Sequence, residues 1–165
     1  MKHEYDDGEI VAMAGGSRRH NALAVRITTA LDLGRKSGCV VFQSDQRVRI
    51  PATGKATYPD ASMVCGTMEG DPADPSGATI TNPTVIVEVL SPSTEQDDRG
   101  SKWQHYQQLA SLREYVLVSQ TEARLEHYRR LATGAWEYRE VTQGTLALEC
   151  GATLALATLY ADLPP

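Results

Sequence analysis

A glutamate stands in the middle of an otherwise apolar, β-branched segment, Thr84-Val85-Ile86-Val87-Glu88-Val89-Leu90. Apolar residues on both alternating faces predict a central strand that is covered on both sides. An ionised carboxylate at such a position costs several kcal/mol unless a cation, a lysine or hydrogen bonds compensate its charge. Glu88 therefore indicates a site with a compensating partner, and a bound metal ion is the most specific of these partners.

Two other segments supply the residue types that a metal-dependent hydrolytic site uses. Asp60 ends the tripeptide Tyr58-Pro59-Asp60, and Lys102 ends the segment Asp98-Arg99-Gly100-Ser101-Lys102. Divalent-metal nucleases hold Mg²⁺ through oxygen ligands from separate elements, and they use a cation or base to position the attacking water. Asp60, Glu88 and Lys102 supply these types.

The position of the lysine departs from the usual pattern of such nucleases. Residues two apart in a strand share a face, so Glu88 and Leu90 point the same way, about 6.6 Å apart. In the restriction-endonuclease pattern PD-(D/E)XK the second of these positions is a lysine, whereas here it is Leu90. The following helix offers a substitute, because Asp98, Lys102 and Tyr106 lie on one helical stripe. A helix packed on the strand it follows can aim Lys102 back at the carboxylates.

The helices and strands that must position these residues can be predicted from hydrophobic periodicity and from the residues that begin or end each element. After Ser17, the four-residue spacing of Leu23, Ile27 and Leu31 predicts an amphipathic helix that stops at Gly34. A second helix is expected to begin within 91–94, with Ser93 and Gln96 spaced as a capping box, and to end near residue 109. A long loop is expected at 66–82 and should be mobile. The predicted strands are 8–14, 39–50, 57–64, 84–90, 114–119, a hairpin of 124–130 with 136–141, and 146–156. This order favours an α/β fold of the α+β type, in which a mixed sheet has flanking helices and a C-terminal β-hairpin extension.

Length and composition set outer limits on the function. At 165 residues, 41% hydrophobic and 22% charged, the chain has the size of a single domain, which we predict to span residues 1–165. The net charge of −5 argues against a generally basic nucleic-acid-binding surface but leaves room for a local positive groove.

Cysteine usage and the N-terminus bear on the cellular setting. Three cysteines, an odd number without paired zinc-ligand spacing, predict neither a disulfide nor a structural zinc. The charged start lacks the apolar segment of a signal peptide, and no apolar run reaches the roughly 18 residues that span a bilayer. We expect a reduced, cytoplasmic protein without membrane association.

A set of short motifs is distributed along almost the whole chain: Lys2-His3-Glu4-Tyr5, Asp7-Gly8-Glu9-Ile10, 15–20, Ser44-Asp45-Gln46-Arg47-Val48, Tyr58-Pro59-Asp60, Val87-Glu88-Val89-Leu90-Ser91-Pro92-Ser93-Thr94, Asp98-Arg99-Gly100-Ser101-Lys102 and Tyr106. With these motifs the chain resembles the Uma family of restriction-endonuclease-like proteins. The resemblance implies the PD-(D/E)XK fold, with Asp60 and Glu88 as metal ligands and Lys102 as the displaced lysine. Family members usually carry residues before Lys2, so we expect this N-terminus to be shortened.

Each of the candidate residues Asp60, Glu88, Lys102 and Asp98 could instead have a purely structural role. Asp60 could be a turn aspartate that follows proline. Glu88 and Lys102 could form a buried structural ion pair, or Lys102 could be a solvated helix lysine. Asp98 could cap the helix or pair locally.

Further residues are possible accessories to the site. His20 shares the stripe of the first helix that faces the sheet, so it is either a satisfied core histidine or a catalytic one. Glu9 on the first strand could reach the metal or lie on an edge-strand surface, and Tyr106 belongs to the Lys102 stripe. Residues 15–19 precede a helix N-terminus, where free N–H groups favour phosphate, although a simple loop with solvated arginines is the alternative.

The sequence as a whole is interpreted as a Mg²⁺-dependent (or Mn²⁺-dependent) endonuclease that cleaves phosphodiester bonds in DNA, with water activated between the metal and Lys102. The competing interpretation is a catalytically inactive nuclease-fold module that binds nucleic acid or protein. An acyl or phosphate hydrolase would need a nucleophile motif such as G-x-S-x-G, which the chain lacks. A homodimer is a possible assembly, since two DNA strands require two sites.

Overall fold

The computed structural model describes residues 3–6, 8–12 and 15–165. Residues 13 and 14 at the end of the first predicted strand lie outside the described residues, as do Met1, Lys2 and Asp7 of the N-terminal motifs. Among the residues that are described, no helix is both long and apolar enough to cross a membrane.

A six-stranded mixed sheet forms the centre of the fold, in the order β11-β10-β9-β8-β6-β3. Strand β8 runs parallel to β9 and antiparallel to β6. All five residues of β8 are buried, as the apolar run around Glu88 predicts. The strand bounds are β3 (Cys39–Gln43), β6 (Ala61–Cys65), β8 (Val85–Val89), β9 (Glu114–Val118), β10 (Leu125–Arg130) and β11 (Trp136–Val141).

Helices cover the two faces of β8. Helix α1 (Arg18–Gly34) packs Leu23 and Ile27 against a face that includes Val87. The opposite face, which includes Ile86, packs against Tyr106 and its neighbours. Since alternate residues of a strand point to opposite faces, Glu88 shares the face of Ile86 and is directed toward the helices that follow β8.

A smaller five-stranded sheet, in the order β2-β1-β5-β4-β7, lies beside these elements. The predicted strand at 39–50 is divided between the two sheets, because a turn closed by the Gln46 N–H on the Gln43 carbonyl separates β3 from β4. The predicted strand at 57–64 is also divided, because 58–60 leaves the sheet between β5 and β6. The strands are β1 (His3–Asp6), β2 (Glu9–Ala12), β4 (Arg47–Arg49), β5 (Ala56–Thr57) and β7 (Thr79–Ile80).

The prediction of one continuous second helix that ends near residue 109 is wrong. It consists of α2 (Glu95–Arg99) and α3 (Ser101–Tyr106), with Gly100 between them. A Cβ at Gly100 would lie 2.9 Å from the Gln96 carbonyl oxygen, so the close approach at this break requires glycine. The predicted capping box is also wrong, because Thr94 is the N-cap residue and makes no side-chain capping bond.

Two further predicted elements differ. Residues 146–156 do not extend the main sheet: β12 (Thr145–Ala147) and β13 (Thr153–Ala155) pair only with each other within the described chain, and α4 (Leu156–Leu159) follows. The predicted loop at 66–82 contains β7 and is tied to β4 by ion pairs, Arg47 with Asp74 and Arg49 with Asp71, each at 2.8 Å.

The expectation of no disulfide is wrong, because Cys39 and Cys65 are bonded to each other. The two residues lie directly opposite in the antiparallel register of β3 and β6, with their Cα atoms 4.0 Å apart. Cys150 is buried and free. Because two of the three cysteines are paired, cysteine usage does not support the expectation of a reduced setting.

Candidate active site

Asp60 and Glu88 are brought together by the pairing of two neighbouring strands. Ala61 of β6 pairs with Val87 of β8, so the residue before β6 lies opposite the residue after Val87. The Asp60 N–H donates to Glu88 Oε2 at 3.4 Å, and the Val89 N–H donates to Asp60 Oδ2 at 2.7 Å. Pro59 has no backbone N–H to donate to a neighbouring strand, which is consistent with the absence of strand pairing at 58–60, next to the carboxylate of Asp60.

Lys102 reaches the same place from α3. Its Nζ lies 3.2 Å from Asp98 Oδ1, 3.3 Å from Glu4 Oε1 and 3.6 Å from Glu88 Oε1. Lys102 is only 4% exposed, so these carboxylates replace the water that would otherwise solvate the ammonium. The alternative of a solvated helix lysine is therefore wrong.

Tyr106 completes the stripe that was predicted from the sequence. Its hydroxyl donates to Glu88 Oε1 at 2.9 Å and lies 3.0 Å from Thr57 Oγ1. Both Tyr106 and Thr57 are fully buried. Although Gly100 interrupts the helix, Asp98, Lys102 and Tyr106 all face the carboxylate of Glu88 or its lysine partner, as the spacing predicts.

Burial and neighbouring charges shift the ionisation of this cluster. Burial raises the pKa of Glu88 well above its usual value, the charge of Lys102 opposes this, and the charges of Asp98 and Asp60 add to it. Burial likewise raises the pKa of Asp98. Burial alone would lower the pKa of Lys102, but the charges of Glu88, Asp98 and Glu4 raise it well above its usual value. Lys102 is therefore a cation at neutral pH within an excess of carboxyl groups.

His20 approaches Asp60 from the first turn of α1. Its Nε2 lies 3.3 Å from Asp60 Oδ2, and its Nδ1 has no hydrogen-bond partner among the described residues. The hydrogen bond with Asp60 raises the pKa of His20, and burial opposes this rise. Ser17 is the N-cap residue of α1 and accepts from the His20 N–H, which fixes the start of this helix at the site. His20 thus contacts the site and does not serve only as a core residue.

The acidic residue contributed by the N-terminal hairpin is Glu4, which the sequence analysis did not select. Glu9 is exposed on β2 and does not line the site. Glu4 on β1 faces Lys102, and its Oε1 accepts from the Tyr58 N–H at 3.4 Å. Lys55, which is 2% exposed, was also missed and lines the same cavity. The only sequence signal for Glu4 is its place in the motif Lys2-His3-Glu4-Tyr5.

The cluster opens into a cavity of about 960 Å³. The segment Gly15-Gly16-Ser17 lines one side, in keeping with its place before a helix N-terminus. Arg19 also lines the cavity, but its guanidinium donates to the backbone carbonyls of Gln120 and Pro164. A phosphate site at this helix N-terminus stays a prediction.

The donor set at Asp60 and Glu88 fits a hard divalent cation. Within the described residues, no group of three or more His, Cys, Asp and Glu side chains is arranged to hold a metal ion. Mg²⁺ does not need such a cage, because it keeps several waters and binds through one or two carboxylates plus substrate phosphate oxygens. Asp60 just before β6 and Glu88 in the adjacent β8, with an excess of negative charge around them, supply that smaller set.

The fold and this cavity define a mixed α/β protein of the restriction-endonuclease-like class. A crystal structure from Anabaena variabilis ATCC 29413, described as a "putative nuclease belonging to DUF820", matches with a TM-score of 0.74 over 98% of this chain and 91% of that chain. Sequence identity is 17%, so this likeness concerns the fold alone. It confirms the predicted fold class.

The chain belongs to the family described as "Uma2: Putative restriction endonuclease", which matches residues 1–161. Two relatives from Synechocystis sp. are similar to it. The uncharacterized protein slr1290 is 42% identical over 137 residues, covering 82% of this chain and 70% of the relative. The uncharacterized protein sll1609 is 33% identical over 142 residues, covering 85% and 78%. The family resemblance is confirmed, and the description of the family supports a nuclease-like function.

Proposed function

We propose that this protein is a Mg²⁺-dependent or Mn²⁺-dependent endonuclease that hydrolyses phosphodiester bonds in DNA. The observation that carries the proposal is the convergence of Asp60, Glu88 and Lys102 at one cavity, from the segment before β6, from β8 and from α3. Two carboxylates and a lysine on separate elements are the residue types that metal nucleases combine at a reacting phosphate.

Asp60 and Glu88 would hold the metal ion. When bound, the ion supplies Lewis-acid polarisation of the phosphate and lowers the pKa of a bound water. The Val89 N–H fixes one oxygen of Asp60, and the Tyr106 hydroxyl fixes one oxygen of Glu88. Hydrogen bonds to ligating carboxylates orient them before the ion arrives, so less reorganisation is required on binding.

Lys102 would act as a positioned cation and not as a base. Its neighbours raise the pKa of its ammonium well above the usual value, so it stays protonated at neutral pH. A protonated lysine can donate hydrogen bonds to the attacking water and to the phosphate oxygens on which negative charge develops. The lysine of α3 would thereby serve in place of the lysine absent at Leu90.

The alternative is a catalytically inactive nuclease-fold module that binds nucleic acid or protein. Leu90 favours it, as does the use of Lys102 in three ion pairs, because a lysine engaged in this way also stabilises a fold without chemistry. The alternative predicts an intact fold, no Mg²⁺ or Mn²⁺ binding, and no dependence of nucleic-acid binding on Asp60.

A cleavage assay with Mn²⁺ tests the proposal. DNA would be incubated with the wild type, Asp60→Asn and Glu88→Gln. Asp32→Asn is the matched control, because Asp32 is an exposed aspartate on α1 that forms an ion pair with Arg35. We expect cleavage by the wild type and the control, and losses of at least about 100-fold in the two site variants. No cleavage by any protein, or equal cleavage by all four, would refute the assignment.

A further inference from the structure

We infer that the site acts on a single DNA strand and not on an intact duplex. The inference rests on the proposed nuclease function and names the substrate form of that same site. Two independent features carry it: the depth of the reactive groups, and the engagement of most of the described arginines in contacts within the molecule.

Two of the three reactive residues line the cavity but are almost fully buried. Glu88 is 3% exposed and Lys102 is 4% exposed. Parts of four other segments line the same cavity: 11–12 of β2, 15–17 before α1, 91–94 after β8, and 120–121 after β9. A phosphate must therefore enter the cavity to reach these groups.

A duplex cannot meet this condition without opening. A cavity of about 960 Å³ has the size of a small-molecule pocket, and such pockets run to roughly 1,000 Å³. Stacked base pairs form a rod whose major groove alone is about 12 Å wide, and enzymes that draw one nucleotide from it pay unstacking and unpairing energy. A single strand bends and presents its phosphates without that cost.

The charge distribution gives the second line of argument. Duplex-binding proteins commonly neutralise about 6–10 phosphates with free lysines and arginines. Here most arginines are used within the molecule, and the net charge is −5. Among the described residues, seven arginines lie within 4.0 Å of a carboxylate oxygen: Arg35, Arg47, Arg49, Arg99, Arg113, Arg124 and Arg129.

Several of the remaining arginines are also engaged. Arg26 donates to the Leu159 and Ala161 carbonyls, and Arg130 donates to those of Gln107 and Leu109. The lysines and arginines that line the cavity are Arg19, Lys55 and Lys102, and so small a number matches a few phosphates of one strand. The apolar lining at Val11 and Pro92 and the ring of Tyr58 offer surface for unstacked bases.

Circular DNA separates the two substrate forms. A single-stranded circle and a relaxed, covalently closed duplex circle of the same sequence would be incubated with wild-type protein and Mn²⁺, with Asp60→Asn as the background. Neither substrate has ends, so cleavage is endonucleolytic. We expect the single-stranded circle to be cleaved at least about tenfold faster, given the energy of opening a duplex.

The outcomes of this assay test the single-strand inference separately from the nuclease proposal on which it rests. Cleavage of the duplex circle at an equal or greater rate would overturn the single-strand inference and leave the nuclease proposal standing. Asp60-independent cleavage, or cleavage of neither circle, would overturn the nuclease proposal and the inference with it.

A second variant tests whether the cavity is the route. A Cβ added at Gly15 meets nothing within 4 Å, so Gly15→Trp places a bulky side chain at the cavity wall without a backbone clash. Val25→Trp is the matched control, since Val25 is 66% exposed on α1 and does not line the cavity. We expect Gly15→Trp to retain Mn²⁺ binding and to lose at least about tenfold in single-strand cleavage, because a bulky side chain at the cavity wall would displace the strand from its productive position. Wild-type cleavage by Gly15→Trp would overturn the cavity route.

Discussion

Replacement of Lys102 by alanine tests how the buried cluster is held together. Its ammonium is the cation that lies within 3.6 Å of the carboxylates of Glu88, Asp98 and Glu4. Removing one partner of a buried ion pair leaves uncompensated charge and costs about 3–5 kcal/mol. For a chain of this length each kcal/mol shifts the melting temperature by about 2–4 °C, so we expect Lys102→Ala to melt roughly 6–20 °C lower.

The pH dependence of this loss has a definite sign. Without Lys102, the pKa values of Glu88 and Asp98, which burial already raises, would rise further. A carboxyl group whose folded pKa lies above its unfolded pKa contributes stability at low pH and loses it as the pH rises. The stability difference between the wild type and Lys102→Ala should therefore be larger at neutral pH than at mildly acidic pH.

Denaturant unfolding at neutral and at mildly acidic pH measures the loss of stability in Lys102→Ala and its dependence on pH. Lys36→Ala is the matched control, because Lys36 is an exposed lysine and such substitutions change stability by less than about 0.5 kcal/mol. A loss in Lys102→Ala no larger than in Lys36→Ala would refute the buried ion-pair cluster. A loss that is independent of pH would refute the account of Glu88 and Asp98.

Three further predictions concern the metal, an acidic residue and the disulfide. Mg²⁺ at 100 times its Kd should stabilise the wild type by about 2.7 kcal/mol in thermal melts, whereas a variant Asp60→Asn that binds about tenfold more weakly should gain no more than about 1.4 kcal/mol at the same concentration; equal shifts in both would count against the site. Burial would raise the pKa of Glu114, but hydrogen bonds from His127 and Arg129 hold it below its ordinary value of 4.5. The loss of stability as the pH falls below 4.5 should therefore be smaller in Glu114→Gln than in the wild type, and an equal loss in both proteins would contradict this. Reduction of the Cys39–Cys65 bond, with 26 residues of separation, should cost roughly 3–4 kcal/mol in denaturant unfolding, whereas a reductant that changes nothing would contradict the bond.

The parts of the site that depend on local periodicity could be predicted from the sequence. Apolar residues on both sides of Glu88 fix it within a buried strand, and alternation fixes which face it shares with Leu90. The spacing of Asp98, Lys102 and Tyr106 survives the break at Gly100, because both short helices continue along the same face of the sheet. These inferences need no knowledge of which strands pair.

The parts that depend on long-range pairing could not be predicted. Glu4 reaches Lys102 because Tyr5 pairs with Ala56, some fifty positions along the chain, and periodicity does not reveal that pairing. Cys39 and Cys65 meet through the register of β3 and β6, whereas an odd cysteine count gives no partner assignment. The break at Gly100 depends on a close approach to a backbone carbonyl, which a single glycine in a helical pattern does not specify.

Calorimetric titration of Mn²⁺ tests the central claim most directly, because it measures the metal site without requiring a DNA substrate. The proteins would be the wild type, Asp60→Asn, Glu88→Gln and the exposed control Asp32→Asn. Loss of an outer hydrogen-bond partner already weakens metal sites by about 10–100-fold, so loss of a ligand should weaken binding at least about tenfold. We predict that the wild type and Asp32→Asn bind Mn²⁺ equally and that both site variants bind at least about tenfold more weakly; equal binding by all four proteins, or no binding by the wild type, would contradict the account.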